Sequence, residues 1–499
     1  MVRRITVLLA AVGMACAASA GNLLTDVYQQ SREQAVWERL YVLWDLATAA
    51  TATDAALSAQ WSLEMYDVAT RSAAETRVQS ADREASRKNA LTVLCLTDPA
   101  RAAEHFMELE PSPGHMPNED PRIDLARHLI PRLWAVQGVE ALPTIRRFAE
   151  FTSKTGQYPY ESIGAILPAL SRANREAARD LFREAVNRLP QERILRTKFD
   201  YLKFLRAAWP VVDAKDRRRA VEAGLAGAIQ SVRQQAAAEP GLRVYTEYYL
   251  PGGTVRFDSA EVAQVYDLLP FVDALDKRWG HRLREQYPAL GGVATAGIRT
   301  APWRSSVQVT PERDTPARVQ AAFERHHAMF LGEWAGEDAR RAARIALATQ
   351  DPDRRRMALA VVLPQYGKID LAQASAWRTE LAGAARRDAD TGDFLSFLVA
   401  LARADFALGY SEDGREIAGK AMELGKRIFA ARARELPILS VDVVYDLHSL
   451  ADGYGAWDAA SAAEFVRREC AAVPELRVVL LAAVVRGDAR RRPGYREPT

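Results

Sequence analysis

Val36-Trp-Glu-Arg-Leu-Tyr-Val-Leu-Trp44 decides the fold class. Trp37, Leu40, Tyr41 and Trp44 recur at three- and four-residue spacing, so they lie along one stripe of an α-helix. The same spacing continues through the chain from Leu23 onward, and strand-like alternation is nearly absent. The boundaries are punctuated as helices require. Asp98-Pro99, Asp120-Pro121, Thr315-Pro316 and Asp351-Pro352 each offer a side-chain acceptor at the cap and a proline at the first helical position. Gly138, Gly156, Gly280 and Gly367 fall where helices are expected to end. The pattern predicts about eighteen helices and at least about 65% helix, well above the roughly one-third found in ordinary globular proteins.

Short connections force consecutive helices to run antiparallel, and an isolated antiparallel pair cannot bury both its faces. Stacking on the next pair removes that exposure. The sequence therefore predicts an all-α fold, an α-solenoid of stacked antiparallel helix pairs, with one β-hairpin insertion. Faint self-similarity agrees: Asp98-Pro-Ala-Arg-Ala-Ala-Glu-His-Phe106 is similar to Ala173-Asn-Arg-Glu-Ala-Ala-Arg-Asp-Leu181. Glu337-Asp-Ala-Arg-Arg-Ala-Ala-Arg-Ile-Ala346 and Asp351-Pro-Asp-Arg-Arg-Arg-Met-Ala358 resemble the opening of HEAT repeats, where an acidic cap and an arginine precede small residues. Leu408-Gly409-Tyr410 followed by Ala418 and Ala421 resembles a tetratricopeptide repeat, with departures at several consensus positions. These resemblances cover about a quarter of the chain. They name an architecture, and imply protein or peptide binding by analogy only.

Three stretches interrupt the helical pattern. Residues 110–120 form a proline-rich connection, and residues 239–257 suit a hairpin, with Val244 to Leu250 and Thr254 to Phe257 flanking Pro251-Gly252-Gly253. Residues 291–314, rich in Gly, Thr, Ser and Pro, read as a mobile linker. The expected organisation is a signal peptide at 1–20, an N-terminal helical array at 21–290, the linker at 291–314, a C-terminal array at 315–486 and a basic tail at 487–499.

Arg3 and Arg4, the apolar run Ile5 to Ala15 and Ala18-Ser19-Ala20 have the order of a secretory signal cleaved before Gly21. The expected compartment is periplasmic or secreted, and no later apolar run reaches the roughly 18 residues that a membrane span needs. Without Arg3 and Arg4 the chain keeps 65 basic against 64 acidic side chains. That balance argues against nucleic acid as a partner. Three cysteines cannot supply a disulfide framework. Cys95 and Cys470 lie among apolar residues and read as small buried hydrophobes.

Few residues suggest chemistry. Gly414-Arg-Glu-Ile-Ala-Gly419-Lys420-Ala421 nearly spells a phosphate-binding loop, but Ala421 lacks the hydroxyl that holds magnesium and no strand precedes it. Helix is the better reading. Glu161-Ser162 resembles the catalytic Glu-Ser of soluble lytic transglycosylases, although Ile163-Gly164-Ala165-Ile166 departs from that family's following element. Glu161 is thus the candidate catalytic residue, and a lone carboxylate is insufficient for most glycoside cleavage. His105, Glu108, Asp124 and His128 are candidate metal ligands, since their i,i+3 and i,i+4 spacings put each pair on one helix face. Arg486-Gly487-Asp488 matches an adhesion tripeptide at a frequency expected by chance. No zinc, nucleophile-elbow or dinucleotide motif occurs, and no cofactor is implied.

The functional expectation is an exported helical-repeat scaffold that binds a protein or peptide partner. The alternative is a carbohydrate-active enzyme, either an (α/α) toroid or similar to a lytic transglycosylase. The hairpin is the expected contact: alternation puts Tyr245, Glu247 and Tyr249 on one face, where two aromatic rings would flank a carboxylate. A competing reading has both faces covered by helices, which makes the hairpin structural.

Overall fold

The computed structural model describes the chain apart from residues 1–22, 74–76, 111–120, 155–156, 190–196, 239–240, 296, 300, 311–313, 387–390, 433–441 and 499. The signal segment and most of the proline-rich stretch lie outside the described residues. Of these residues 78% are helical, in 21 helices, beside one three-stranded sheet. The all-α class with a small β insertion therefore holds.

Proline punctuation sets the boundaries as expected. Helices run over Pro99–Phe106, Pro121–Gln137, Pro316–Ala348 and Pro352–Tyr366, each opening on its predicted proline. Asp351 accepts from the backbone N–H groups of Asp353 and Arg354 at 3.0 and 2.9 Å, satisfying donors that a helix start otherwise leaves open. Asp338 interrupts Pro316–Ala348 with an extended backbone and caps the continuation by accepting from Arg341 N–H at 3.0 Å. The small residues after it, Ala342, Ala343 and Ala346, are buried. Gly138 and Gly367 sit at helix ends as expected. Gly280 lies instead inside Lys277–Gln286, where a β-carbon would strike the carboxylate of Asp273.

Packing divides the chain into two units. The described residues of the first run up to Ala73, through Asn89–Asp98 and from Phe330 onward, so helices from the early and the late parts of the sequence belong to one unit. Sequence suggested separate N-terminal and C-terminal arrays. Helix Val36–Ala50 packs on Ala55–Arg71 across a turn capped by Asp54, and also on Pro474–Ala489. Pro474–Ala489 packs in turn on Asp442–Trp457 with unusual intimacy. A β-carbon on Gly487 would stand 2.0 Å from the carbonyl oxygen of Asp452, and one on Gly455 would stand 2.5 Å from that of Val484. Only glycine permits this approach of backbones. Cys95 and Cys470 are buried in this unit and are not joined in a disulfide.

The second unit comprises Ala74–Lys88 and Pro99–Met329. It holds the sheet: β1 (Arg243–Leu250) lies between β2 (Gly253–Phe257) and β3 (Trp303–Val309), both antiparallel to it. The hairpin β1–β2 is as predicted. β3 corrects the mobile linker expected at 291–314. Trp303, Ser305, Val307 and Val309 alternate inward at 7%, 1%, 6% and 5% exposure, a strand signal that Ser305 weakens in the sequence. Its edge bonds to β1 are long-range, and local periodicity does not reveal them.

Candidate functional site

The first unit contains a cavity of about 550 Å³. Its apolar wall includes Val361 and Pro364 from Pro352–Tyr366, Ala400 from Gly392–Leu408 and Ala456 from Asp442–Trp457. Phe406 and Trp457 add an aromatic surface, stacked at 5.2 Å between centroids and 13° between planes. Tyr454 stacks on Phe406 at 4.6 Å, and Arg415 lies over Trp457 at 5.0 Å, so neighbours brace the aromatic wall. Arg403, Asp452 and Arg490 supply charge.

Arg403 and Phe406 are three residues apart on one helix and therefore share a face. The stem of Arg403 crosses the neighbouring helix at Gly453, where a β-carbon would come within 2.6 Å of its Cγ. Arg403 donates to Ser449 Oγ at 2.7 Å and makes no ion pair with the described residues. Protein surrounds it on most sides, yet its side chain remains exposed, the condition of a group facing a cavity. Burial, and then the like charges of Arg490 and Arg486, lower its pKa against the opposing pull of Asp452. An arginine nonetheless stays protonated. The result is a cation without an ion pair among the described residues, beside an aromatic surface.

Behind the cavity runs a network of buried charge. Arg490 pairs with Asp452 and donates to Glu497 at 3.0 and 3.1 Å. Arg486 donates to Asp45 at 3.1 Å and Glu497 at 2.5 Å, and its guanidinium lies 4.5 Å from the ring centroid of Trp44. Burial raises the Asp452 pKa despite the surrounding arginines. For Glu497 burial is outweighed by hydrogen bonds from Arg490 and Tyr495 and by the charges of both arginines, which hold its carboxyl at about 2.

The residues singled out from sequence fall elsewhere. Glu247 and Tyr249 are buried, at 7% and 4% exposure, and Tyr245 is half-buried, so this face is not displayed to solvent. Tyr245 packs with Val307, Val309, Val319 and Phe323. Tyr249 donates to Glu247 at 2.5 Å and also meets His327, while Arg256 holds the same carboxylate at 2.8 Å. The opposite face carries Tyr248, which packs on Tyr266 at 4.6 Å and donates to the carbonyl oxygen of Ala263. Both faces are covered, which corrects the expected exposure of Tyr245, Glu247 and Tyr249. The apolar body of each ring found more burial against a helix than solvent exposure would leave it.

Glu161 opens helix Tyr160–Ala173 and is engaged at 2.8 Å by Lys203 and 3.2 Å by Arg127, which also holds Asp200. His105 meets Glu108 at 3.3 Å, whereas Asp124 pairs with Arg127 at 2.9 Å. His128 is pushed down to about 4 by burial, with Arg132 and Lys88 adding like charge. Among the described residues no three His, Cys, Asp or Glu side chains converge as metal ligands. The four candidates are not gathered. The stretch resembling a phosphate loop lies within helix Ser411–Arg432, and Arg486 of the adhesion-like tripeptide is buried.

Sequence reasoning missed Arg403, Asp452, Arg486 and Arg490. A signal was present: Arg403 interrupts the apolar helix Gly392–Leu408, and Arg486 ends the run Val478 to Val485. A charge inside an apolar stripe demands a partner or a ligand. No known protein-family model matches the chain, and no curated protein matches it significantly.

Proposed function

We propose that the protein is an exported, non-catalytic binding scaffold that takes a peptide segment of a partner into the cavity of its first unit. The carrying observation is Arg403, a cation without an ion pair among the described residues that faces a cavity walled by Phe406 and Trp457. Such a site suits a segment with an apolar side chain next to a carboxylate: the first covers the aromatic wall and the second neutralises the guanidinium. The braced stack costs little entropy to organise, because its rings are already held. The export part of the reading rests on the signal-like residues 1–20.

Affinity selection from a random hexapeptide pool on immobilised protein tests the site. Intact protein should enrich peptides that combine an acidic and an aromatic or aliphatic residue, and Arg403→Gln should lose that enrichment. Equal recovery on both proteins would remove Arg403 and its cavity as the binding site.

A further inference from the structure

The segment after helix Pro474–Ala489 folds back on the first unit. Arg492, Tyr495, Glu497 and Pro498 are half-buried, while Arg491, Pro493, Gly494 and Arg496 are exposed. Polar contacts do most of the holding. Arg496 donates its backbone N–H to Thr51 Oγ1 at 3.4 Å and its side chain to the Leu96 carbonyl oxygen at 3.0 Å. Glu497 accepts from Arg486, Arg490 and the Tyr495 hydroxyl, the last at 2.7 Å. No apolar anchor of this tail is fully buried among the described residues.

Arg486 and Arg490 hold Glu497 and also meet Asp45 and Asp452. Counted with Arg403, which lies in the field of Asp452, three arginines balance three carboxylates, so removing Glu497 leaves one positive charge in excess. The network also contains an unused bond. Arg486 Nε and Asp452 Oδ1 are both buried without a hydrogen-bond partner among the described residues, and they stand 4.0 Å apart. A movement of about 1 Å brings that pair to bonding distance. Arg486 is drawn to Glu497, and its closure on Asp452 is the contact left for it to make when Glu497 is gone. Arg490 links this network to the cavity, because it both lines the cavity and holds Glu497.

We infer that Glu497 occupies the seat of a ligand carboxylate, so that the tail is an internal competitor which a partner's carboxylate displaces. This rests on the reading of the cavity as a peptide site and adds its second anchor. Arg403 receives one acidic group without displacing anything; Arg490 receives another only when the tail leaves. The fork of a guanidinium accepts any carboxylate in the same geometry, so the exchange keeps the charge-assisted bonds, and the contacts of the rest of the peptide in the cavity must supply the cost of association. A partner carrying two carboxylates is selected over one carrying a single carboxylate.

The test uses the random hexapeptide pool, half with free C-termini and half amidated, on three proteins: the intact chain, Glu497→Gln, and a chain ended after Arg492. Helix content by circular dichroism should match in all three. Recovery of acidic peptides should rise about tenfold on both altered proteins, and the pool should raise amide hydrogen exchange at residues 495–498 of the intact chain. A gain confined to free C-termini assigns the seat to a terminal carboxylate, and a gain in both halves assigns it to Asp or Glu side chains. Equal recovery on all three proteins, sensitive to Arg403→Gln, overturns the tail inference and leaves the cavity reading standing. No acidic recovery on any of them removes both.

Discussion

Asp45 and His448 are 403 residues apart in the sequence, yet the carboxylate of Asp45 lies 2.6 Å from Nε2 of His448 in a buried contact. The other carboxylate oxygen accepts from Arg486 at 3.1 Å, so one aspartate on helix Val36–Ala50 joins two helices from the far end of the chain.

Asp45→Ala should therefore be among the most damaging single changes in the first unit. It leaves the buried Arg486 short of a counter-charge and strips the imidazole of its acceptor, at about 3–5 kcal/mol. Asp45→Asn keeps an acceptor oxygen and should cost less. Urea denaturation orders the two variants, and equal midpoints would deny Asp45 this role.

Glycine positions give a contrast within the same unit. Gly487→Ala drives a methyl to 2.0 Å from the Asp452 carbonyl oxygen and should separate the two helices. The loss should be at least about 1–3 kcal/mol, as for other overpacked cores. Gly383 in helix Leu371–Ala385 meets nothing within 4 Å, so Gly383→Ala should stabilise by about 0.5–1 kcal/mol. Opposite shifts in thermal midpoint are expected, and a shared sign would contradict the packing described.

Acid sensitivity should trace to Glu247 in the second unit. Burial raises its pKa, but hydrogen bonds from His327 and Tyr249, and then Arg256, outweigh burial and hold it below the ordinary value. A depressed folded-state pKa contributes stability that is fully present above the unfolded value of about 4.3 and is lost as pH falls through the lower folded value. Glu247→Gln should be less stable than the unaltered protein at pH 7, with a gap that narrows below about pH 4.3. A gap independent of pH would exclude the linkage.

The tyrosines on that face should behave as packing residues. Tyr245→Ala with Tyr249→Ala should lower the melting temperature by several degrees, since about 1 kcal/mol moves a unit of this size by roughly 2–4 °C. Tyr249→Phe removes the hydroxyl shared by Glu247 and His327 and should cost about 1–3 kcal/mol on its own. An unchanged melting temperature in the double variant would restore the surface reading.

The proposed export makes a separate prediction. Intact-mass measurement of protein recovered from outside the cytoplasm should show loss of residues 1–20, with Gly21 as the new first residue. A mass that retains those residues counts against the proposal.

Local features were legible because their physics is local. The stripe through Trp37, Leu40, Tyr41 and Trp44 and the caps at Asp351-Pro352 depend on residues within a turn or two, and those helices form where the spacing predicts. Burial of Cys95 and Cys470 followed from their apolar neighbours for the same reason. Long-range pairing is different in kind. Thr246 meets Ser306 across 60 residues of chain, and a serine-rich strand earns its place only once β1 offers it an edge. Tyr249 and Glu247 had an alternation that made two faces, but which faces a helix would cover depended on where Phe323 and His327 came to lie. The arginine cavity belongs to the same class. Arg403 and Arg486 are charges in apolar helices, a signal that passes unread while their partners are unknown; the close approach at Gly453, Gly455 and Gly487 puts Asp452 near both, and Glu497 against Arg486 and Arg490.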